Sequence, residues 1–278
     1  MNYKLKYNLT HSPENCLVEL LTARGVENIE GYINPSKEYE LDPYLLDNIS
    51  EAADLLFKHL ENDSSILIVQ DADTDGICSA AMMWLYIKDF YPKARLEYVC
   101  HEHKAHGLDD IIEDVIESDY DLIILPDASS FDIEEHRRLQ EVGKEVLVLD
   151  HHHADSYSPY AVVVNNQLSK NYSNKYFCGA GVVYKFLMVM DDKFGDSGYC
   201  EKYMDLCALA NVADCMSMKH PETRYYITEG LKKINNDGFK AFINQQSYSL
   251  FKETKELGYI NVAFYIVPLL NAIVRVGT

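Results

Sequence analysis

The chain has 278 residues, with 25 Lys and Arg against 44 Asp and Glu, so its net charge is −19 at pH 7. With 47% hydrophobic and 25% charged residues it can bury a sizeable core, which excludes disorder as its main state. The acidity excludes a grip on nucleic acid through bulk charge and leaves local cations, or metal ions on an acidic cluster, to hold phosphate.

The opening stretch MNYKLKYNLTHSPEN lacks the apolar core of a secretory signal. Residues 1–60 read as a lead-in with one good helix over 43–61 and a loop-like segment around 34–39. From Ser65 onward, strand-length runs alternate with helix-length stretches. The runs are SILIVQ (65–70), RLEYVC (95–100), DLIILP (121–126), EVLVLD (145–150) and AVVVNN (161–166). Each is rich in Ile, Val and Leu, as a strand covered on both faces should be. Residues 76–90, 108–118 and 132–142 carry apolar side chains at helical spacing. This repetition predicts an α/β fold, a mainly parallel five-stranded sheet flanked by helices. A helical C-terminal part follows, with helices expected over 179–191, 199–213, 221–235, 239–246 and 256–263. The economical division is a lead-in, 1–60, and one main domain, 61–278. The most apolar stretch, 261–276, is interrupted by Pro268 and Asn271 and falls short of a membrane span. Seven cysteines without a C-x-x-C pair suggest neither a zinc ribbon nor a disulfide framework. They read as reduced, mostly buried thiols of a cytoplasmic protein.

In a parallel sheet, ligands bind beyond the carboxyl ends of the strands. After SILIVQ comes Asp71-Ala72-Asp73-Thr74-Asp75-Gly76, after DLIILP comes Asp127, and EVLVLD ends in Asp150 before His151, His152 and His153. Asp214 closes the apolar helix CALANVAD. Carboxylates crowded into one pocket repel each other unless a cation neutralises them. Carboxylate oxygens with a few imidazole nitrogens, and no thiolate, suit Mn²⁺ or Mg²⁺. Two such ions about 3.5–4 Å apart form a clamp for hydrolysing phosphoesters. Each acid alone could instead cap a helix or shape a turn. Their coincidence at successive strand ends favours a site. The loop after the first run has no G-x-G-x-x-G, and a P-loop is absent, which sets aside dinucleotide and P-loop readings.

The DADTDG at 71–76, the lone Asp127, the DHH at 150–152 and the NVAD at 211–214 resemble the four motifs of the DHH phosphoesterase superfamily. The match is closest to its RecJ-type single-stranded-DNA-specific exonucleases. Val69 stands where the family's pyrophosphatases carry a histidine. The segments 164–186, PLLNAIVRVG (268–277) and DPYLLDNISEAADLL (42–56) extend the resemblance over nearly the whole chain from about residue 30. It implies Mn²⁺ or Mg²⁺, two ions, with Asp73 and Asp75 each holding a metal, Asp127 bridging, and His151 and Asp214 completing one site. It places His152 beside the cluster as a catalytic group, with Asp71 and Asp150 orienting the ligands. It implies substrate contacts from Arg275 and Asn271.

Two departures stand out. Where RecJ-type enzymes carry an arginine-bearing stretch before G-Y-G-L, this chain reads CHEHKAHGL (100–108), leaving Lys104 for phosphate. His101 and His103 read as surface histidines, and His153 is given no role. The superfamily's G-G-H-type clamp is absent up to Thr278, so the clamp would come from a further domain or a partner chain. The expected function is metal-dependent 5′→3′ hydrolysis of single-stranded DNA. The alternatives are a phosphoesterase for a short oligonucleotide, cyclic dinucleotide or pyrophosphate, and a non-catalytic replication or repair scaffold.

Overall fold

In the computed structural model, which describes residues 13–101, 106–195, 198–251 and 256–276, the five apolar runs form one sheet. Its strands are β1 (Ser65–Gln70), β2 (Arg95–Cys100), β3 (Leu122–Pro126), β4 (Glu145–Asp150) and β5 (Val162–Asn165), in spatial order β2-β1-β3-β4-β5. Every pairing is parallel, with Ile66 opposite both Leu96 and Leu122 and Leu147 opposite Val162. Alternate side chains leave opposite faces. Ile66, Ile68, Ile124 and Leu149 enter one core, while Leu67, Val69, Ile123 and Val148 enter the other.

Thirteen α-helices surround the sheet among the described residues. They are α1 (Pro13–Ala23), α2 (Ile29–Ile33), α3 (Ile49–Glu61), α4 (Thr74–Phe90), α5 (Ile112–Glu117), α6 (Ile133–Glu141), α7 (Gly179–Phe194), α8 (Met204–Ala213), α9 (Pro221–Gly230), α10 (Asp237–Gln245), α11 (Ser247–Leu250), α12 (Tyr259–Tyr265) and α13 (Val267–Val276). Helices α3, α4, α7 and α8 supply the first core, and α5 and α6 the thinner second one. Among the described residues no helix is long and apolar enough to cross a membrane.

Several expectations are corrected. The helix expected over 43–61 is broken: Pro43–Leu45 is a 3-10 turn, and Asn48 takes a left-handed φ of 65° before α3 begins. The first turn of the helix expected at 199 is also 3-10, over Tyr199–Tyr203. Helices α1, α2 and α13 have no counterpart among the expected elements. Pro268 is accommodated at the second position of α13, where the N–H it lacks has no partner within the helix. Strand β2 is not covered on both faces. It lies at the sheet edge with Arg95, Glu97, Tyr98 and Cys100 exposed. All seven cysteines are free, and Cys78, Cys178, Cys200 and Cys207 are buried.

The strand order places the site. The winding of the chain reverses at β1, which has its successor β2 on one side and β3 on the other, the kind of switch point at which parallel sheets bind ligands. Behind it, a buried ion pair ties the lead-in to the helical half. Lys185 of α7 and Glu222 of α9 are both fully buried, 2.7 Å apart. Lys185 Nζ donates to the Leu41 carbonyl at 2.6 Å, and Glu222 accepts from the Leu41 N–H, the Tyr172 hydroxyl and the Asn174 amide. Removing one partner strands a charge in the core, so Lys185→Met should lower stability by about 3–5 kcal/mol. Chemical denaturation checks this. A variant as stable as the wild type would mean the pair is dispensable.

Candidate metal centre

Beyond β1 the chain turns through Asp71 to Asp73, whose Oδ1 accepts the Gly76 N–H at 3.0 Å and so caps α4. A Cβ on Gly76 would stand 2.5 Å from the Asp71 carbonyl oxygen, so this turn requires glycine. Asp75 is buried, and its two carboxylate oxygens accept the N–H groups of Gly179 and Ala180, each at 2.8 Å. These are the first N–H groups of α7, so the positive end of that helix holds the carboxylate. Asp127 follows β3 with a left-handed φ of 72°, and its N–H prolongs the ladder by donating to the Leu149 carbonyl at 2.8 Å. A Cβ on Gly179 would collide with the Asp127 carboxylate, so only glycine lets α7 approach this closely.

His151, next after β4, places Nε2 3.3 Å from Asp127 Oδ1, 3.7 Å from Asp214 Oδ2 and 3.8 Å from Asp75 Oδ2. Asp214 reaches the same point from the C-terminal end of α8. The potential ligand atoms fall into overlapping groups, each within 4.8 Å: Asp75, His151 and Asp214; Asp71, Asp73 and Asp127; and Asp127, Asp150, His151 and His152. Asp127 is shared between groups. Its buried Oδ1 accepts no hydrogen bond, because His151 lies close but misaligned. A buried carboxylate oxygen without a donor, among four further acids and an imidazole, fits a hard divalent cation.

Electrostatics sort the acids. Burial, then the charges of Asp75 and Asp73, pushes the Asp127 carboxyl well above the usual range. Burial, then Asp75 and Asp73, raises Asp214 to about 7. Asp71 is also raised, chiefly by burial, although both its oxygens lie 2.9 Å from His106 Nδ1. Burial would raise Asp150 too, but hydrogen bonds and charge from His152 hold it well below the carboxylate range. Asp150 has no oxygen to spare. Oδ1 takes the N–H groups of His151 and His152 and the His152 ring, and Oδ2 takes the Ser130 N–H. These bonds tie Asp150 to the backbone of His151 and to both the backbone and ring of His152. The hydrogen bond to Asp150, against burial, lifts His152 to about 9, whereas burial lowers His151 and keeps it ready to ligate.

Of the expected substrate contacts, Lys104 lies outside the described residues, as does the side chain of Arg275. Asn271 is engaged within the fold, its carboxamide oxygen accepting from the Thr74 N–H at 3.1 Å and the Thr74 hydroxyl at 2.6 Å. His101 is not a surface histidine. Its side chain is 1% exposed and pairs with Asp110 at 2.6 Å, because the chain turns inward as β2 ends. His103 lies outside the described residues. Sequence reasoning misses His106, as well as Ser130 and Asn165, whose amide donates to the Ser130 hydroxyl and the His152 carbonyl. His106 and Asn165 lie in stretches compared with the family, but neither they nor Ser130 carry a pattern that names their partners, which are distant in sequence and met only in the fold.

Ligation through Asp214 and Asp127 would require them to lose protons that burial and the charges of Asp75 and Asp73 make them hold. Mn²⁺ affinity should therefore rise with pH up to about 7 and beyond, by roughly tenfold per pH unit for each proton displaced. Calorimetry in buffers of different ionisation enthalpy should show proton release. Affinity constant from pH 6 to 8 would contradict this.

The DHH family, N-terminal domain, matches residues 65–211. A candidate single-strand DNA-specific exonuclease of the SPbeta prophage, YorK of Bacillus subtilis, is 40% identical over 94% of this chain and 44% of its own length. The single-stranded-DNA-specific exonuclease RecJ of Bacillus subtilis is 25% identical over 94% of this chain and 33% of its own. The structure of RecJ from Thermus thermophilus in complex with Mn²⁺ superposes with a TM-score of 0.72 at 26% identity, covering 86% of this chain and 35% of that one. The chain thus spans less than half the length of these relatives. The DADTDG, lone Asp127, DHH and NVAD motifs converge on one cluster, the matched region spans the whole sheet, and the chain belongs to the DHH family.

Proposed function

We propose that this chain is the catalytic part of a metal-dependent phosphodiesterase that shortens single-stranded DNA in the 5′→3′ direction. The observation that carries the reading is buried Asp127, which belongs to two groups of potential ligands and has an oxygen, Oδ1, without a donor. Asp73, Asp75, Asp127, His151 and Asp214 would hold two ions, Mn²⁺ or Mg²⁺, with Asp127 between them. Such a pair supplies an acidified water and a charge that steadies the leaving oxygen. The protein's share is positioning. Asp75 is fixed by the α7 N-terminus, and Asp150 fixes the two histidines. Asn271, through Thr74, steadies the first turn of α4. His152, half-exposed and raised by its hydrogen bond to Asp150, has Nδ1 on Asp150 and would offer Nε2 to a phosphate oxygen. Arg275 and Lys104 would add phosphate contacts. Residues 61–278 would form the catalytic domain, with the later part of the lead-in, 41–60, packed into the same core, and a further domain or partner chain would supply the clamp. The free thiols suit the reducing cytoplasm.

Hydrolysis of a 5′-labelled single strand with Mn²⁺, beside a dinucleotide and pyrophosphate, tests this directly. Mononucleotide release from the long strand, abolished in Asp127→Ala, is the expected result. Turnover of the dinucleotide or pyrophosphate alone would make the chain a small-substrate phosphoesterase instead. His152→Ala should lower kcat by roughly 10²–10⁴-fold while keeping the Mn²⁺-induced rise in Tm. Loss of that rise would make His152 a ligand instead.

A further inference from the structure

A groove on the flank of the sheet lies outside the metal cluster and has no assigned role. It is lined by Gln70, Ile77, Ala81, Trp84, Leu85 and Tyr98 and encloses about 300 Å³. It begins at the cluster: Gln70 immediately precedes Asp71, and Ile77 stands in the first turn of α4, whose cap is Asp73. From there it descends α4 to Trp84, about 10 Å along the axis. Its outer wall is the unpaired edge strand β2, where Tyr98 is 61% exposed and meets the Trp84 ring edge-on at 5.5 Å.

At the end away from the metal cluster, the chain past Trp84 carries lysines. Lys88, whose Nζ donates to the Ala94 carbonyl at 2.7 Å, lies 5.4 Å from the Trp84 ring, and exposed Lys93 stands in the turn between α4 and β2. The acids nearby are turned away or paired. Glu97 projects from the other face of β2 to the Tyr120 hydroxyl, and Asp89 is bound by Lys202. Two aromatic rings with lysines at one end form a surface for an extended polyanion whose flat bases can stack. A duplex keeps its base faces stacked inside.

We propose that the Trp84–Tyr98 groove is a nucleobase-stacking subsite that holds single-stranded nucleic acid beyond the nucleotide at the metal centre. This rests on the nuclease reading of that centre for its direction of travel, though not for binding itself. Stacking on these rings is indifferent to base identity, so the subsite would retain the strand without selecting sequence.

Trp84 is the single tryptophan of the chain and therefore reports on the groove by itself. A short oligothymidylate titrated into the protein in EDTA at low salt should quench Trp84 emission saturably. Tyr98→Ala, a change at an exposed position, should weaken binding by roughly 5- to 100-fold. It should leave the Mn²⁺-induced rise in Tm unchanged, whereas Tyr98→Phe should bind like the wild type. Binding of a labelled strand without any change in Trp84 emission would overturn the proposal and leave the nuclease reading standing. So would unweakened binding by Tyr98→Ala, or no binding at all. Quenching on raising protein concentration alone would put a second copy of the chain in the groove and equally overturn it. Quenching by oligothymidylate with no hydrolysis of any substrate would uphold the groove and sink the nuclease reading.

Discussion

The docking of the Asp75 carboxylate on the N-terminus of α7 is the contact around which the site is assembled. Two N–H groups that no helical carbonyl can satisfy meet two oxygens that burial would otherwise leave without water. That single exchange joins the loop after β1 to the helical half of the chain. It also brings Gly179 against Asp127. A larger residue at 179 would push α7 off, and the loop, the helix and Asp127 would lose their common meeting point.

Gathering so much negative charge has a cost within the fold. Asp127 and Ser129 hold left-handed backbone conformations right after β3, and burial with repulsion raises Asp71, Asp127 and Asp214. The protein offsets part of this by treating its acids unequally. Asp150 is saturated with donors, Asp75 has a helix end, and Asp71 has His106. Asp127 is left with an unsatisfied oxygen. The residue most expensive to hold is the one placed where a cation would sit.

Rigidity behind the site comes from a second buried charge, the Lys185–Glu222 pair, which crosses from the lead-in through α7 to α9. Since α7 also carries Gly179 and Ala180, the pair braces the same helix whose N-terminus holds Asp75. Residues 41–61 accordingly share the core of the main domain, with Leu46, Ile49 and Leu56 packed in it.

The sequence by itself determined the sheet and the identity of the acids. Strand-length runs of Ile, Val and Leu separated by amphipathic stretches allow few arrangements other than a parallel α/β sheet, and such a sheet sends residues 71–75, 127 and 150–152 to one edge. Those statements follow from local periodicity and chain direction, which sequence carries. Tertiary structure decided the rest. Periodicity does not report which strand ends at an edge, so it predicts a covered β2 where Tyr98 is open. Nor does it report where a loop closes, so it leaves His101 at the surface and passes over His106 and Asn165. It does not register Asn48, whose left-handed turn splits the expected helix over 43–61. Asn271 shows the limit most plainly: its motif marks it as important, but only packing of α13 on α4 puts its oxygen on Thr74. Side-chain partners distant in sequence are fixed by the balance of burial, repulsion and donor supply in the assembled chain, and no local pattern encodes that balance.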